Sequence, residues 1–299
     1  MILRSAPSPG PVLSRRRLLT GGLRLAGGVA VAGLGYGLLL EPRWFRVTRL
    51  GFPVRGLPPA LDGLRLVHLT DIHHRPWLSL RSVRRVVEAA NALQPDLVLL
   101  TGDYVHQSAA YIRPVAAELA ALRPRLATVA VLGNHDWGED GPLMRQELRK
   151  AGSVLLDNAR RVLMPDGRLV EDAAEGLALC GVGDLWRDRQ DYAAALDGLP
   201  EEMPRLLLSH NPDVAEEWDF VRSGLRVDLM VSGHTHGGQV YVPGLGTPIV
   251  PSRYGQKYAC GLVRGPVCPV FVCRGIGVSL VPVRVRVPPE IAVLELTCG

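Results

Sequence analysis

Lysine is nearly absent from this chain: only Lys150 and Lys257 occur in 299 residues, and arginine supplies the other basic side chains. No function follows from that bias. Aromatic residues are scarce, at 5%. The five cysteines (Cys180, Cys260, Cys268, Cys273, Cys298) include no C-x-x-C pair, which excludes the thiolate spacing of a zinc knuckle. They are expected to be buried as small hydrophobes, with one disulfide among Cys260, Cys268 and Cys273 as the lesser alternative. A basic domain is also lacking. The formal charge is +5, but residues 1–50 hold eight arginines against the single acid Glu41, so the rest of the chain is net negative by two. Net charge therefore gives a nucleic-acid groove no support, and no nucleic-acid partner is expected.

What is present is glycine (33), proline (24) and 47% hydrophobic residues, which suit a sheet-rich fold with tight turns and one large core. The basic excess has its own context. Ser14-Arg15-Arg16-Arg17-Leu18-Leu19 precedes an apolar run from Leu18 to Leu40 broken only by Arg24. A twin arginine before a mildly hydrophobic, glycine-rich stretch resembles a twin-arginine translocation signal. Leu25 to Leu40 alone is too short for a hydrocarbon core of about 30 Å at about 1.5 Å per residue. Adding Leu18 to Arg24, with Arg24 snorkelling, makes a span feasible. Ala30-Val31-Ala32 matches a cleavage pattern, yet the apolar run continues beyond it. Residues 1–43 are thus expected to be a signal recognised by the twin-arginine machinery and retained as a membrane anchor. Residues 44–299 are expected to form one domain at the outer face of the cytoplasmic membrane or in the periplasm.

Within that domain, apolar runs predict strands at Leu64–Thr70, Asp96–Leu100, Thr128–Leu132, Leu177–Val182, Arg205–Ser209 and Asp228–Ser232. Later runs at Val267–Cys273, Val278–Val287 and Ile291–Leu296 predict more. Helical spacing marks Leu78–Leu93, through Leu80, Val83, Val86, Val87, Ala90 and Leu93, and a second helix falls around Arg113–Leu122. Strands alternating with helices early and dominating late predict a mixed α/β layered sandwich.

Five of these strands end in metal-type ligands. The endings are Asp71-Ile72-His73, Thr101-Gly102-Asp103, Gly133-Asn134-His135-Asp136, Ser209-His210-Asn211 and Ser232-Gly233-His234-Thr235-His236. If the strands are neighbours in one sheet, these groups converge on one rim. Gly102, Gly133 and Gly233 permit close backbone approach there. Carboxylate, amide and imidazole without thiolate suit manganese, iron, zinc or a similar metal. Any one of these pieces alone is loop chemistry; five in order, each on a strand end, is not coincidence.

The ordered set D-x-H, G-D, G-N-H-D, a single His and G-H-T-H resembles the calcineurin-like metallophosphoesterase superfamily. The surroundings His68-Leu69-Thr70-Asp71, Leu208-Ser209-His210-Asn211-Pro212, Gly237-Gly238-Gln239, Val250-Pro251-Ser252-Arg253-Tyr254-Gly255 and Arg274-Gly275-Ile276-Gly277 are similar to an exported bacterial branch. That branch comprises phosphodiesterases akin to UDP-2,3-diacylglucosamine pyrophosphatases. The resemblance implies an α-β-β-α sandwich and a hydrolase with two divalent metal ions. Asp71, His73 and His236 would bind one ion, Asn134, His210 and His234 the other, with Asp103 bridging and a bridging hydroxide as nucleophile. His135 would then serve the leaving oxygen, with Asp136 orienting its ring. Arg253 is a candidate for a substrate phosphate or carboxylate, against the alternative of a structural salt bridge. His68 is expected to be a core histidine. His74 and Arg75 are open between substrate contact and solvated loop, and His106 has no assigned role. The expected substrate is a phosphate ester, with a lipid-linked pyrophosphate or diester as one candidate. A soluble nucleotide diester or a phosphomonoester stays open, as does a non-catalytic metal-binding protein of the same fold.

Overall fold

Short Leu/Val runs with few polar interruptions make strands that are buried on both faces. The computed structural model describes residues 35–299 together with Thr20, Arg24, Gly27, Gly28 and Gly33. The twin-arginine motif and most of the expected anchor lie outside the described residues. Among the described residues, no helix is long and apolar enough to cross a membrane.

One sheet contains β1 (Arg46–Val54), β2 (Leu64–Leu69), β3 (Leu97–Leu100), β4 (Ala127–Ala130), β5 (Ser153–Leu155) and β13 (Glu290–Cys298), in the order β1-β13-β2-β3-β4-β5. Strands β2 to β5 are mutually parallel, and β13 runs antiparallel to β2. The other sheet contains β6 (Ala159–Leu163), β7 (Leu169–Val170), β8 (Leu177–Gly181), β9 (Arg205–Leu208), β10 (Leu229–Ser232), β11 (Gly261–Arg264) and β12 (Pro269–Val272), in the order β11-β12-β10-β9-β8-β6-β7. Its centre, β8, β9, β10 and β12, is parallel.

Alternation along each strand sorts the side chains into three apolar layers. Leu66, Leu97, Leu99 and Val129 of the first sheet meet Leu179, Leu206, Leu208 and Val231 of the second. On the outer face of the first sheet, Val67, Leu69, Val98 and Leu100 pack against helices α1 (Leu80–Ala92), α2 (Ile112–Leu119) and α3 (Asn134–Lys150). Cys180, Leu207 and Met230 do the same beneath α4 (Tyr192–Leu196) and α5 (Trp218–Arg222). The α1 helix follows from its sequence: the Ser79 hydroxyl accepts the Ser82 amide, and Val83, Val86, Val87 and Ala90 form its buried stripe. The result is the α-β-β-α sandwich.

Three details depart from expectation. The five ligand-bearing strands divide between the sheets, with β2, β3 and β4 in one and β9 and β10 in the other. The rim is therefore formed where two sheet edges meet. The apolar run Val278–Val287 is not a strand. It wraps around the buried Arg284 guanidinium, which donates to the carbonyls of Arg274, Gly277 and Val287 at 2.6–3.0 Å. Helix α3 was hidden by Gly138, Gly141 and Pro142, and its backbone does break at Asp140 (φ −170°).

All five cysteines are free; Cys180, Cys268 and Cys273 are buried, whereas Cys298 is exposed. The inter-sheet layer predicts a large truncation effect. Denaturant titration of Leu99→Ala, at a fully buried position, should show a loss of about 2–5 kcal/mol. Leu262→Ala, on the exposed edge strand β11, should change stability by about 0.5 kcal/mol or less. Equal effects would contradict this layering.

Candidate metal centre

All five strands stop at the shared rim, and the chain leaves β2, β3 and β10 through left-handed residues. Asp71 (φ 52°), His73 (47°), Asp103 (55°), His234 (69°) and His236 (52°) all take left-handed backbone conformations. Such conformations cost a non-glycine residue of the order of 1–3 kcal/mol, and persist where surrounding structure imposes them, commonly at functional sites. Here the turns brace one another: Asp71 N donates to Gly102 O and His73 N to Asp103 O, both at 2.9 Å. Glycine is required at closest approach. A Cβ on Gly233 would lie 2.2 Å from both Asp71 Oδ2 and Thr70 Oγ1, and one on Gly133 would lie 2.3 Å from Asp103 Oδ1.

The seven expected ligands are all brought to this rim, none more than 9% exposed. Asp71, His73 and His236 form one group, with Asp71 Oδ1 3.2 Å from His236 Nε2 and the two imidazole Nε2 atoms 2.9 Å apart. Asp103, His210 and His234 form another, with Asp103 Oδ2 and His234 Nδ1 each 3.2 Å from His210 Nε2. The same Asp103 Oδ2 is 3.5 Å from His73 Nε2, so one carboxylate oxygen faces both groups. Its partner oxygen accepts the His135 amide at 2.8 Å.

Metal ions fit these residues. Asp71 Oδ1, Asn134 Oδ1 and His234 Nε2 are buried without a hydrogen-bond partner, a state rare for native polar atoms unless something else satisfies them. Carboxylate, amide and imidazole donors suit borderline divalent metals. Burial lowers the His234 pKa to about 3 and that of His236 well below its usual value, leaving both rings in the neutral form a metal needs. Burial also opposes a charge on His210, but Asp103 outweighs it and raises His210 to about 10. His210 Nδ1 lies 2.7 Å from the Thr101 carbonyl, the outer contact that orients a ligating imidazole.

The other expected residues fall as follows. His135 is half-buried against this cluster, its ring centroid 4.9 Å from that of His73 and 4.1 Å from that of His106. Asp136 does not hydrogen-bond the His135 ring. At the third position of α3 its carboxylate folds back over the helix start, accepting the amides of Asp103 (2.7 Å), Gly133 (2.9 Å) and Tyr104 (2.9 Å). It therefore sets the Asp103 turn. Arg253 lies apart from the ligands, its guanidinium on Glu217 at 3.1 Å. His68 is buried in the inter-sheet layer, Nε2 2.7 Å from Thr101 Oγ1. His74 and Arg75 are neither solvated nor open to substrate: His74 Nδ1 meets the Leu78 carbonyl and Arg75 donates to that of Val278, both at 2.7 Å.

A cavity of about 540 Å³ opens above the ligands. Its floor includes Asp103, Asn134, His135, His234 and His236, and its walls Trp186, Val240, Pro248, Ile249, Leu280 and Val281. Sequence reasoning missed Trp186, whose ring stands 4.3 Å from that of His234. It is presented by Asp184, which accepts the Trp186 and Arg187 amides at 2.8–2.9 Å. Gly183-Asp184 after β8 was the available signal, a sixth polar strand ending like the other five.

A family profile of calcineurin-like phosphoesterases matches residues 64–238, from the start of β2 through the G-H-T-H turn, and so includes every candidate ligand above. The chain belongs to the calcineurin-like phosphoesterase family. Full-length relatives agree. It is 31% identical to the uncharacterized metallophosphoesterase YkuE of Bacillus subtilis, over 95% of this chain and 98% of that one. It is 33% identical to phosphodiesterase YaeI of Escherichia coli, over 95% and 100% respectively. A 5'-nucleotidase precursor from Thermus thermophilus covers 79% of this chain and 54% of its own, at 15% identity and a TM-score of 0.42. This calcineurin-like phosphoesterase is a metal-dependent phosphoester hydrolase of the dinuclear class.

The close packing of Gly233 on Asp71 gives a test of the centre. Gly233→Ala should retain native circular dichroism but bind fewer than the parent's two metal ions per chain by elemental analysis. Full occupancy with unchanged affinity would show that the contact does not hold the ligand in place.

Proposed function

We propose that this phosphoesterase hydrolyses a phosphodiester or pyrophosphate with an apolar group beside the phosphorus, at the outer face of the cytoplasmic membrane. One observation carries the substrate reading: the ligand cluster forms the floor of a cavity whose walls are largely apolar. The name of the Escherichia coli relative, a phosphodiesterase, supports the reaction class. A lipid-linked pyrophosphate such as UDP-2,3-diacylglucosamine combines both features. The location rests on the leader alone.

In this reading Asp71, His73 and His236 would hold one metal ion and Asn134, His210 and His234 the other, with Asp103 available to both groups. Metal ions held by these residues would supply an activated water as the nucleophile and would neutralise charge on the phosphate oxygens. The chain's own residues do the rest. His135 donates a ring N–H toward the leaving oxygen, its backbone placed by the hydrogen bond its N–H donates to Asp103 Oδ1. Asp136 holds the Asp103 turn in register with α3. Trp186, Val240, Ile249 and Leu280 receive the apolar group and exclude water from its side of the phosphorus.

His135→Ala should lower turnover of bis-p-nitrophenyl phosphate by about 10²–10⁴-fold with metal content unchanged. A series of diesters differing only in alkyl length tests the substrate class. Burial contributes up to about 0.8 kcal/mol per CH₂, so kcat/KM should climb by as much as about fourfold per CH₂ until the cavity is filled. A flat series would contradict an apolar subsite and favour a soluble nucleotide substrate.

A further inference from the structure

The cavity mouth is rimmed by exposed apolar side chains. Leu280 is 82% exposed, Ile249 73%, Leu245 60% and Val281 51%, and Tyr241 and Val242 stand beside them. Single exposed leucines are ordinary, whereas a contiguous apolar cluster marks a surface that meets something. These residues come from two segments locked together. The turn from Tyr241 to Thr247 is closed by Val242 N to Gly246 O at 2.7 Å. The Gln239 side chain binds the other segment, accepting Ser279 N at 2.6 Å and donating to Val281 O at 3.2 Å.

The N-terminal apolar run joins the domain at this same place. Gly37 O accepts Arg284 N at 3.0 Å, and a Cβ on Gly37 would strike Val285 Cγ2 at 2.7 Å. Glu41 Oε2 accepts Arg286 N at 2.9 Å, and Val285 O accepts Tyr241 N at 2.9 Å. The end of the leader, residues 284–286, the Tyr241–Thr247 turn and the Leu280 loop thus form one continuous stretch. Its polar members are of the interfacial kind: Trp44 is 68% exposed just past the leader, and the Arg286 guanidinium lies 5.7 Å from the Tyr241 ring centroid.

We propose that the rim formed by Tyr241, Val242, Leu245, Ile249, Leu280 and Val281 docks on a lipid bilayer, so that the cavity opens onto the membrane and takes substrate from it. The occupant is the lipid surface because the chain's own apolar leader ends beside the rim; this rests on reading that leader as a retained anchor. The shared edge brings the bilayer that holds the leader against the mouth.

The test uses the full-length protein in vesicles of phosphatidylglycerol and phosphatidylcholine, with and without chain-brominated lipid. Leu245→Trp adds a reporter on the rim, outside the cavity walls. Glu202→Trp adds one beside Arg55, on the turns at the opposite end of the sheets. The added emission at position 245 should be quenched by brominated chains and that at 202 should not. Equal, weak quenching at both positions would overturn the proposal, and would leave a second copy of the chain or the leader itself as what covers the rim. Quenching needs no turnover, so a wrong substrate class would leave this result intact. Leu245→Asp supplies a second readout. It should slow hydrolysis of a diester embedded in the vesicles while leaving that of bis-p-nitrophenyl phosphate in water unchanged. Equal loss on both would also contradict docking.

Discussion

The Asp103 carboxylate is the joint on which this molecule turns. One of its oxygens accepts the His135 amide and so fixes the first turn of α3. The other stands between His73 on the first sheet's rim and His210 on the second's. Its own amide is held by Asp136. Two sheets with separate outer helices could pack through the apolar layer between them at several registers. The register that aligns their ends is the one in which this carboxylate faces imidazoles from both.

The site is expensive in polar groups and backbone strain. Buried imidazoles, carboxylates without full hydrogen bonding and five left-handed residues in three turns all oppose folding. Close-packed strands on both sides hold them, and cations supply the missing charge when bound. Arg284 is the other compensation. Fully buried, it keeps its charge even though burial lowers its pKa to about 10, and it grips the carbonyls of the Arg274–Gly277 turn that passes over Asp71. It does this from inside the run that carries the apolar rim, so the metal floor and the proposed lipid-facing edge share one support.

The convergence of the seven candidate ligands on one rim was legible because parallel strands buried on both faces leave uninterrupted apolar runs, and the polar residue ending each run stands out. Which sheet each strand joins was not legible, since that is decided by pairings across the whole chain, such as β13 beside β2. The run Val278–Val287 has strand-like composition, and only the tertiary placement of Arg284 makes it a wrapped loop. Helix α3 escaped notice because Gly138, Gly141 and Pro142 break its period. The contacts of Asp136 and Arg253 depend on which backbone amide or carboxylate lies nearest in space, information that residue type does not carry. The glycines before Asp103, Asn134 and His234 could be read correctly, because a close backbone approach demands a missing side chain wherever it occurs.

If Asp103 serves two metal ions at once, its removal should cost both metal and turnover. Metal stoichiometry and hydrolysis of bis-p-nitrophenyl phosphate would be measured for the parent and Asp103→Ala, both loaded with manganese. The parent should bind two ions per chain and turn over, while the variant should lose at least one ion and nearly all activity. Two ions and parental turnover in the variant would contradict the shared-carboxylate centre.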